Sequence, residues 1–398
     1  MILTPKNMPT SETPIPLSEP FLKGNEMTYL KDCIETGWVS SAGAYVNRFE
    51  ESVGSYTGGL HTVAMTSGTA ALHLALKLCQ VGPGDEVVVP AITFIAPVNA
   101  VTYVGAVPAI IDCDDHLNLD PEKLETFLKV ECERTAGGLK NRQSGRLIRA
   151  ILVVHVFGHP VTIKPVHRLC QEYGLKLIED ATESLGSFYI DEKGEKQHTG
   201  TIGDIGCLSF NGNKIITTGG GGMIITRDKS MADRARYLTT QAKDDPVYFR
   251  HDEIGYNYRL TNIQAAIGVA QMEQLEHFVA IKRRNFDKYR EALSSLPSMR
   301  FIEEPGGCLS NYWHYALVIK KGGSRSRDGL LQFLLEKKID CRPLWLPIHR
   351  QKPFGHCLTY RIEKADRYAE EVLNIPCSIG LSDNQIMTVS AAIRRYYG

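Results

Sequence analysis

The sequence predicts an α/β protein with a mostly parallel sheet and a second, smaller domain, on three observations. The chain has 398 residues, more than one hydrophobic core usually organises, so two domains are expected. Between about Thr62 and Arg227, short apolar runs rich in β-formers alternate with helix-like segments, which is typical of βαβ units. Beyond about Pro297, a strand-like YALVI, an amphipathic GLLQFLLEKK and a helix-like IMTVSAAIRR indicate a smaller α+β unit.

Six apolar runs are the predicted strands of the large domain. They are EVVVP (86–90), AVPAIID (106–112), ILVVHVFG (151–158), LKLIED (175–180), GCLSF (206–210) and GMIITR (222–227). The segment from Val130 to Arg146 is polar and contains adjacent glycines, so it is predicted to be an excursion on the surface. Thr261 and Gln264 match a capping box, and a long helical stretch is expected to run from there towards Leu293.

The beginning of the chain is rich in proline and has no apolar run long enough for a signal peptide. No later run is long enough to cross a membrane. We therefore expect an extended arm at residues 1–30, a large domain at 31–270, and a linking helix with a small α+β domain at 271–398.

Charge and cysteine usage narrow the class of partner. Lys and Arg total 45 and are balanced by 45 Asp and Glu, which does not favour nucleic acid or a membrane surface as a partner and indicates a small molecule. The 10 cysteines are scattered without a CxxC pair, which argues against a zinc site and a disulfide framework. We expect reduced thiols in a cytoplasmic protein and no metal.

Three motifs carry chemistry. In the first, a strand-like TVAM leads through Ser67, Gly68 and Thr69 into a helix, and unpaired amides at a helix N-terminus can bind phosphate. The same tripeptide is also an ordinary N-cap. In the second, Asp180 ends a buried strand, where open α/β sheets bind ligands, although an N-cap role is again open.

The third motif places Lys214 in a short loop between two predicted strands, followed by four glycines from Gly219 to Gly222. A single lysine is usually a surface residue, but the buried flanks make that less expected here. The glycine run does not match a P-loop, and it indicates close approach of the backbone to a ligand or strand. A phosphate site, a carboxylate and a lysine able to form an imine together predict pyridoxal 5′-phosphate (PLP).

At this point the sequence resembles the DegT/StrS-type nucleotide-sugar aminotransferases over nearly its whole length. The resemblance rests on GWVSSAG (37–43), SGTAALHLAL (67–76), GPGDEVVVPAITFIA (82–96), VHVFGHP (154–160), IEDATESLGS (178–187), SFNGNK (209–214) and GYNYRLTNIQAAIG (255–268). It implies PLP fold type I, the aspartate-aminotransferase-like fold, with a mostly parallel seven-stranded sheet and a smaller α+β C-terminal domain.

The resemblance also implies roles for individual residues. The cofactor phosphate would be bound by Gly68, Thr69 and Ser209, and by Asn257 of the neighbouring subunit. Phe94 would stack on the pyridine ring, Asp180 would pair with its nitrogen, and Lys214 would be the Schiff-base lysine. A homodimer with a shared active site follows. Glu183 stands where many relatives have Gln or His, so its position near the cofactor is carried over while its role stays open.

The resemblance implies L-glutamate as donor and a nucleotide-linked keto-sugar as acceptor. The expected subgroup acts at C4 of UDP-linked 2-acetamido-4-keto-6-deoxyhexoses, and GDP-perosamine synthases are the alternative. Candidate substrate contacts, for which ordinary packing is an equal alternative, are Trp38, Ser40, Arg259, His314, Trp345 and His349.

Three other interpretations remain. Another PLP enzyme of the same fold would share Lys214 and Asp180 but would not act on nucleotide sugars. A non-catalytic PLP-binding regulator would bind the cofactor without releasing 2-oxoglutarate from glutamate, although no DNA-binding extension is evident. A nicotinamide-dependent oxidoreductase is disfavoured because no G-x-G-x-x-G follows the first strands.

Overall fold

A computed structural model describes residues 13–245, 247–320 and 326–397, and all structural statements concern these residues. The α-helices are α1 Glu26–Glu35, α2 Ala44–Tyr56, α3 Gly68–Leu78, α4 Ile95–Tyr103, α5 Pro121–Val130, α6 Ile163–Tyr173, α7 Lys229–Thr239, α8 Asn262–Met272, α9 Leu275–Leu293, α10 Arg327–Glu336, α11 Lys364–Glu371 and α12 Asp383–Tyr397.

The strands follow the same order along the chain. They are β1 His61–Met65, β2 Glu86–Pro90, β3 Val107–Ile111, β4 Cys132–Thr135, β5 Gly138–Asn141, β6 Leu147–Val154, β7 Lys176–Asp180, β8 Phe188–Ile190, β9 Lys196–His198, β10 Ile205–Ser209, β11 Gly222–Thr226, β12 Met299–Phe301, β13 Cys308–Leu309, β14 Tyr315–Ile319, β15 Arg342–Pro343, β16 Leu358–Tyr360 and β17 Val372–Ile375. All six predicted strands of the large domain are present.

The main sheet is mixed but mostly parallel, as predicted. Eight of its strands lie in the order β1-β11-β10-β7-β6-β2-β3-β16, and among these eight only β11 runs against its neighbours. The parallel strands are nearly all buried, because helices cover both faces of the sheet. Their carboxyl ends therefore lie along one edge, where Asp180 and Ser209 end β7 and β10.

The sheet has ten strands where seven were expected. Seven form the predicted core, and the hairpin β4–β5 and strand β16 extend it. The segment 130–146 was expected to be an excursion on the surface, but β5 pairs with β6 through Leu139 and Ile148, both of which are buried. The expected long helix is two helices, α8 and α9. The Thr261 capping box at its start is confirmed.

A separate four-stranded sheet, in the order β12-β14-β17-β15, packs with α10 and α12 and is called the small domain below. Its two faces serve different purposes. Tyr315 and Leu317 of β14 belong to the core of the small domain. Ala316 and Val318 alternate with them and pack into the core of the large domain. One face of this sheet is therefore turned towards the large domain.

The polypeptide after the small-domain strands returns to the main sheet. Strand β16 pairs in parallel with β3, and the buried Asp112 accepts hydrogen bonds from the backbone amides of Glu363, Lys364 and Ala365 at the start of α11. Lys123 also contacts Asp112, with Nζ 2.7 Å from Oδ2. Burial acts to raise the pKa of Asp112, but the hydrogen bonds from Lys123 and the three amides outweigh that effect, so the pKa is lowered overall. The large domain and the small domain are thus joined at a fixed point.

The described part of the arm lies on the small domain. Ile15 is buried and forms a parallel bridge with Ile339, and the carbonyl of Leu17 accepts from the amide of Cys377. Residues 1–12 of the expected arm lie outside the described residues. Over the described part of the chain, no helix is both long and apolar enough to cross a membrane.

Candidate active site

A cavity of about 810 Å³ lies at the carboxyl edge of the parallel strands. The large domain forms one wall, and the small domain with the arm forms the opposite wall. The cavity brings together the predicted residues Gly68, Thr69, Phe94, Asp180, Glu183, Ser209, Lys214, His314 and Trp345. Residues from distant parts of the sequence therefore meet in one place.

The turn from β1 into α3 forms an amide-lined cradle. Ser67 is the N-cap of α3, and its Oγ accepts from the amide of Ala70 at 3.1 Å. The amides of Gly68 and Thr69 stand in the first turn, where no carbonyl of the helix can pair with them. An anion placed there would gain these donors and the positive end of the helix dipole.

Close backbone packing explains the glycines of this cradle. A Cβ added at Gly222 would lie 2.3 Å from the carbonyl carbon of Ser67. Strand β11 can therefore approach the turn this closely only because residue 222 is glycine. A Cβ at Gly68 would lie 2.9 Å from Cβ of Ser209. Ser209 therefore lies against the cradle, at the end of β10, where its hydroxyl faces the same cavity.

Asp180 provides the buried carboxylate. It ends strand β7, and its Oδ1 accepts from the amide of Thr182 at 3.0 Å. Burial raises the pKa of Asp180, and the hydrogen bonds from Thr182 and the nearby Lys214 oppose that shift. A cationic ring nitrogen placed beside Asp180 would favour its ionised form.

Lys214 projects into the cavity from the loop after β10, with a side chain that is 12% exposed. Its Nζ lies 4.0 Å from the centre of the Trp313 ring and 3.7 Å from Oε1 of Glu183. Burial lowers the pKa of Lys214, whereas Glu183 and Asp180 raise it less strongly. The amine is therefore closer to its neutral, nucleophilic form than a surface lysine is.

Glu183 is held in a fixed position beside Lys214. Its Oε2 accepts from the amide of Phe157 at 2.8 Å, and Phe157 takes a positive φ of 57° in the loop after β6. Burial raises the pKa of Glu183 to about 7, while Lys214 and the Phe157 amide act in the opposite direction. This carboxyl can thus hold or release a proton near neutral pH.

Aromatic side chains line the space in front of the lysine. The rings of Phe94 and Trp345 have centroids 6.1 Å apart, and Trp345 lies 4.9 Å from Phe157. His314 is buried and its Nδ1 lies 3.5 Å from Sγ of Cys377. Burial, with Lys282 and Lys214 nearby, lowers the pKa of His314 well below its usual value, so its imidazole is neutral.

Five predicted site residues do not line this cavity: Trp38, Ser40, Asn257, Arg259 and His349. The guanidinium of Arg259 is paired with Glu50 at 2.8 Å, and His349 is 3.1 Å from Asp366. Trp38, Ser40 and Asn257 are exposed on the surface. The roles assigned to these five residues remain predictions.

Sequence reasoning missed Trp313, Asp340, Arg342 and Asn374, which line the cavity from the small domain. Trp313 donates from Nε1 to the carbonyl of Asn213, next to Lys214. Asn374 carried the one usable signal, because it is a polar residue inside the buried run of β17.

The residues present fit PLP. The amide cradle with Ser209 suits a phosphate, Asp180 suits a protonated pyridine nitrogen, and Lys214 suits the aldehyde. The lack of a Cβ at Gly68 and Gly222 is what allows Ser209 and strand β11 to lie this close to the cradle. Over the described residues, no cluster of His, Cys, Asp and Glu could hold a metal ion.

Comparison with known proteins agrees with this geometry. The family model described as the DegT/DnrJ/EryC1/StrS aminotransferase family matches residues 20–394. EpsN from Bacillus subtilis, named for pyridoxal phosphate-dependent aminotransferase activity, is 39% identical over 357 residues, which cover 89% of this chain and 88% of that protein. The GDP-perosamine synthase of Caulobacter vibrioides is 37% identical over 383 residues, covering 95% and 97%.

Among solved structures, the aminotransferase TlmJ from Streptoalloteichus hindustanus superposes with a TM-score of 0.86 at 28% identity, covering 97% of this chain and 99% of that one. The fold-type-I prediction is confirmed. The expected subgroup acting on UDP-2-acetamido sugars is not confirmed, because the nucleotide sugar named among these relatives is GDP-linked. The chain therefore belongs to the DegT/DnrJ/EryC1/StrS family of PLP-dependent sugar aminotransferases.

Proposed function

We propose that the protein transfers an amino group from L-glutamate to C4 of a GDP-linked 4-keto-6-deoxyhexose, giving a GDP-perosamine-type product for polysaccharide synthesis. The observation that carries this proposal is the placement of the amide cradle, Asp180 and Lys214 around one cavity. A GDP-perosamine synthase that aligns with 95% of the chain supports the GDP-linked sugar over the UDP-2-acetamido sugar expected from the sequence.

PLP, when bound, supplies an aldehyde for amines and an electron-accepting ring. Asp180 would hold the ring nitrogen protonated, which is the state in which the ring accepts electrons best. Lys214 would hold the aldehyde, and its free amine would move a proton at the substrate carbon. Its lowered pKa leaves a neutral fraction able to accept that proton.

Glu183 adjusts the protonation state of this lysine. When Glu183 is ionised, its charge 3.7 Å from Nζ favours the protonated amine, and when Glu183 is neutral that attraction is lost. Because the pKa of Glu183 is about 7, the two forms are both populated under working conditions. Glu183 therefore sets the pH range in which Lys214 acts as a base.

A homodimer with a shared site is part of the proposal. Trp38, Tyr248 and Ile254 are 57%, 81% and 85% exposed, which is unusual for large apolar side chains. Asn257, predicted to reach the cofactor of a neighbour, lies on the same exposed stretch as Ile254. A second copy covering these residues would bring Asn257 to the partner's cavity.

The test is to follow the two half-reactions separately by absorbance, with PLP-loaded protein. Glutamate should convert the cofactor to its amino form, and GDP-4-keto-6-deoxymannose should convert it back. The UDP-2-acetamido-4-keto-6-deoxyhexose should react at least about tenfold less efficiently. Preference for the UDP sugar would instead support the subgroup expected from the sequence, which acts on UDP-2-acetamido-4-keto-6-deoxyhexoses. A cofactor that ignores glutamate would indicate a regulator or a different donor.

A further inference from the structure

The small-domain wall of the cavity carries a polar cluster that the chemistry at Lys214 does not use. It consists of Asp340, Arg342 and Asn374, all of which line the cavity. Arg342 and Asn374 are direct cross-strand partners in the pairing of β15 with β17. Side chains opposite one another in this way lie on one face of the sheet, with Cβ atoms about 5 Å apart.

That face is the one turned towards the large domain. Asn374 pairs with Ala316 on its other side, and Ala316 packs into the core of the large domain. The neighbours Leu373 and Ile375 point the opposite way, into the small-domain core. Strand alternation therefore aims Asn374 at the cavity.

The side chain of Asn374 has an acceptor without a hydrogen bond. The residue is only 4% exposed, yet its Oδ1 is buried without a hydrogen-bond partner among the described residues. A buried carbonyl oxygen without a hydrogen-bond partner destabilises the folded protein. It needs a donor, which a carboxylate or a phosphate does not offer.

The other two members hold opposite charges. A guanidinium nitrogen of Arg342 contacts Oδ1 of Asp340, and the amide of Asp340 donates to the carbonyl of Ile15 in the arm at 2.8 Å. The cluster therefore has no net charge, and it presents donors from Arg342 and Nδ2 of Asn374 together with acceptors from Asp340 and Oδ1 of Asn374. An anionic ligand offers no donor and would leave Oδ1 of Asn374 unpaired.

A hydroxyl group both donates and accepts, and so it matches this set. Aromatic rings of Trp345, Phe94 and Phe157 line the same cavity, and flat apolar faces suit the C–H faces of a sugar ring. We propose that Asn374 and the Asp340–Arg342 ion pair form the subsite that binds the hydroxyl groups of the hexose ring. The side-chain amide of Asn374 bonds to a ring hydroxyl, and Arg342 donates to an oxygen beside it.

This subsite rests on the proposed function and assigns it a substrate-specificity element. It acts on the sugar and not on the amino donor. Removing it should therefore impair one half-reaction and leave the other unchanged.

The experiment uses the PLP-loaded full chain and GDP-perosamine as the probe. It follows the half-reaction in which the amino group of GDP-perosamine is transferred to the cofactor. For Asn374→Leu, the rate constant at low GDP-perosamine should fall roughly tenfold, while the rate with glutamate stays within about twofold. The 2-deoxy and 3-deoxy forms of GDP-perosamine complete the design. At least one should react more slowly than GDP-perosamine with the wild type, and equally with Asn374→Leu.

Stability gives an independent readout. Because Oδ1 of Asn374 has no partner in the folded protein, Asn374→Leu should unfold at the same temperature as the wild type or higher. Ser390→Ala is the matched control, since Oγ of Ser390 is also buried and unpartnered but the residue does not line the cavity. It should leave both half-reactions unchanged.

Two results would overturn the subsite. One is an equal loss in both half-reactions for Asn374→Leu, and the other is an unchanged response to both deoxy analogues in that variant. A wild type that reacts with glutamate but with neither GDP-perosamine nor its ketone would instead overturn the proposed acceptor, and the subsite with it.

Discussion

The two walls of the cavity were built from the sequence in different ways. The large-domain wall comes from short contiguous motifs at strand ends, in which the cradle, Asp180 and Lys214 each follow a buried strand or lead into a helix. The small-domain wall comes from single side chains on β15, β17 and the segment before β14. The first wall suits a fixed cofactor, whereas the second can change with the substrate and leave the cofactor chemistry intact.

The largest expected effect lies on the large-domain wall. Lys214→Ala should lower both half-reactions by at least about 1,000-fold, because the amine that forms the imine and moves the proton is lost. Stopped-flow absorbance of the loaded protein measures this. Lys193→Ala, at an exposed lysine, is the control. Retention of rapid turnover in Lys214→Ala would contradict the assignment.

Asp180→Asn should be next in size. The amide cannot hold the ring nitrogen protonated by charge, so both half-reactions should slow by roughly 100-fold. The effect should be equal for glutamate and for the sugar, because in our proposal Asp180 holds the cofactor in both half-reactions. A loss of rate with only one of the two substrates would indicate that Asp180 contacts that substrate. The large-domain wall would then not be reserved for the cofactor.

Asp112→Asn tests whether the two walls can be loosened relative to each other. Removing the charge leaves Lys123 without its buried partner and should destabilise the protein by about 3 kcal/mol at pH 7. The folded-state pKa of Asp112 is lowered, so this stabilisation is present at neutral pH and is lost as the pH falls through that pKa. The gap in unfolding temperature between the variant and the wild type should therefore be nearly the same at pH 7 and pH 4, and it should narrow only in solutions more acidic than the usual Asp pKa of 3.8.

Glu183→Gln should have the smallest effect on rate and the clearest effect on pH dependence. Without the nearby carboxylate, the pKa of Lys214 falls further, so the acidic limb of the glutamate half-reaction should move to lower pH. At pH 8, where Glu183 is mostly ionised in the wild type, the variant should react roughly threefold faster than the wild type, and the difference should narrow towards pH 6. A limb that stays in place or moves to higher pH would exclude this role for Glu183.

How well each wall could be predicted follows from the same contrast. Ser67 to Thr69, Asp180, Ser209 and Lys214 could be read from sequence because strand and helix boundaries fix their positions, and the structure brings them together. Asn374 and Arg342 could not, since their meeting depends on the pairing of β15 with β17, which no local pattern reveals. The roles predicted for Trp38, Ser40 and Asn257 require the second copy of the chain that we propose, and one sequence does not position such a copy.

Strand β16 and the hairpin β4–β5, which extend the main sheet, were not predicted because local sequence patterns do not reveal their pairing. Strand β16 is only three residues long and pairs with β3, far away in the sequence, so periodicity does not report it. The hairpin β4–β5 is polar on its exposed side, and its polarity masked the pairing of β5 with β6.

The return of β16 to the main sheet determines when the protein can finish folding. Strand β3 ends at Ile111, but its outer neighbour begins only at Leu358, so a ribosome must synthesise most of the chain before that edge is covered. Until then the hydrogen-bonding groups of a buried-type strand remain available to other chains. The nascent protein should thus need protection from aggregation late in synthesis, and variants that weaken the Asp112 contact should lose yield before they lose activity.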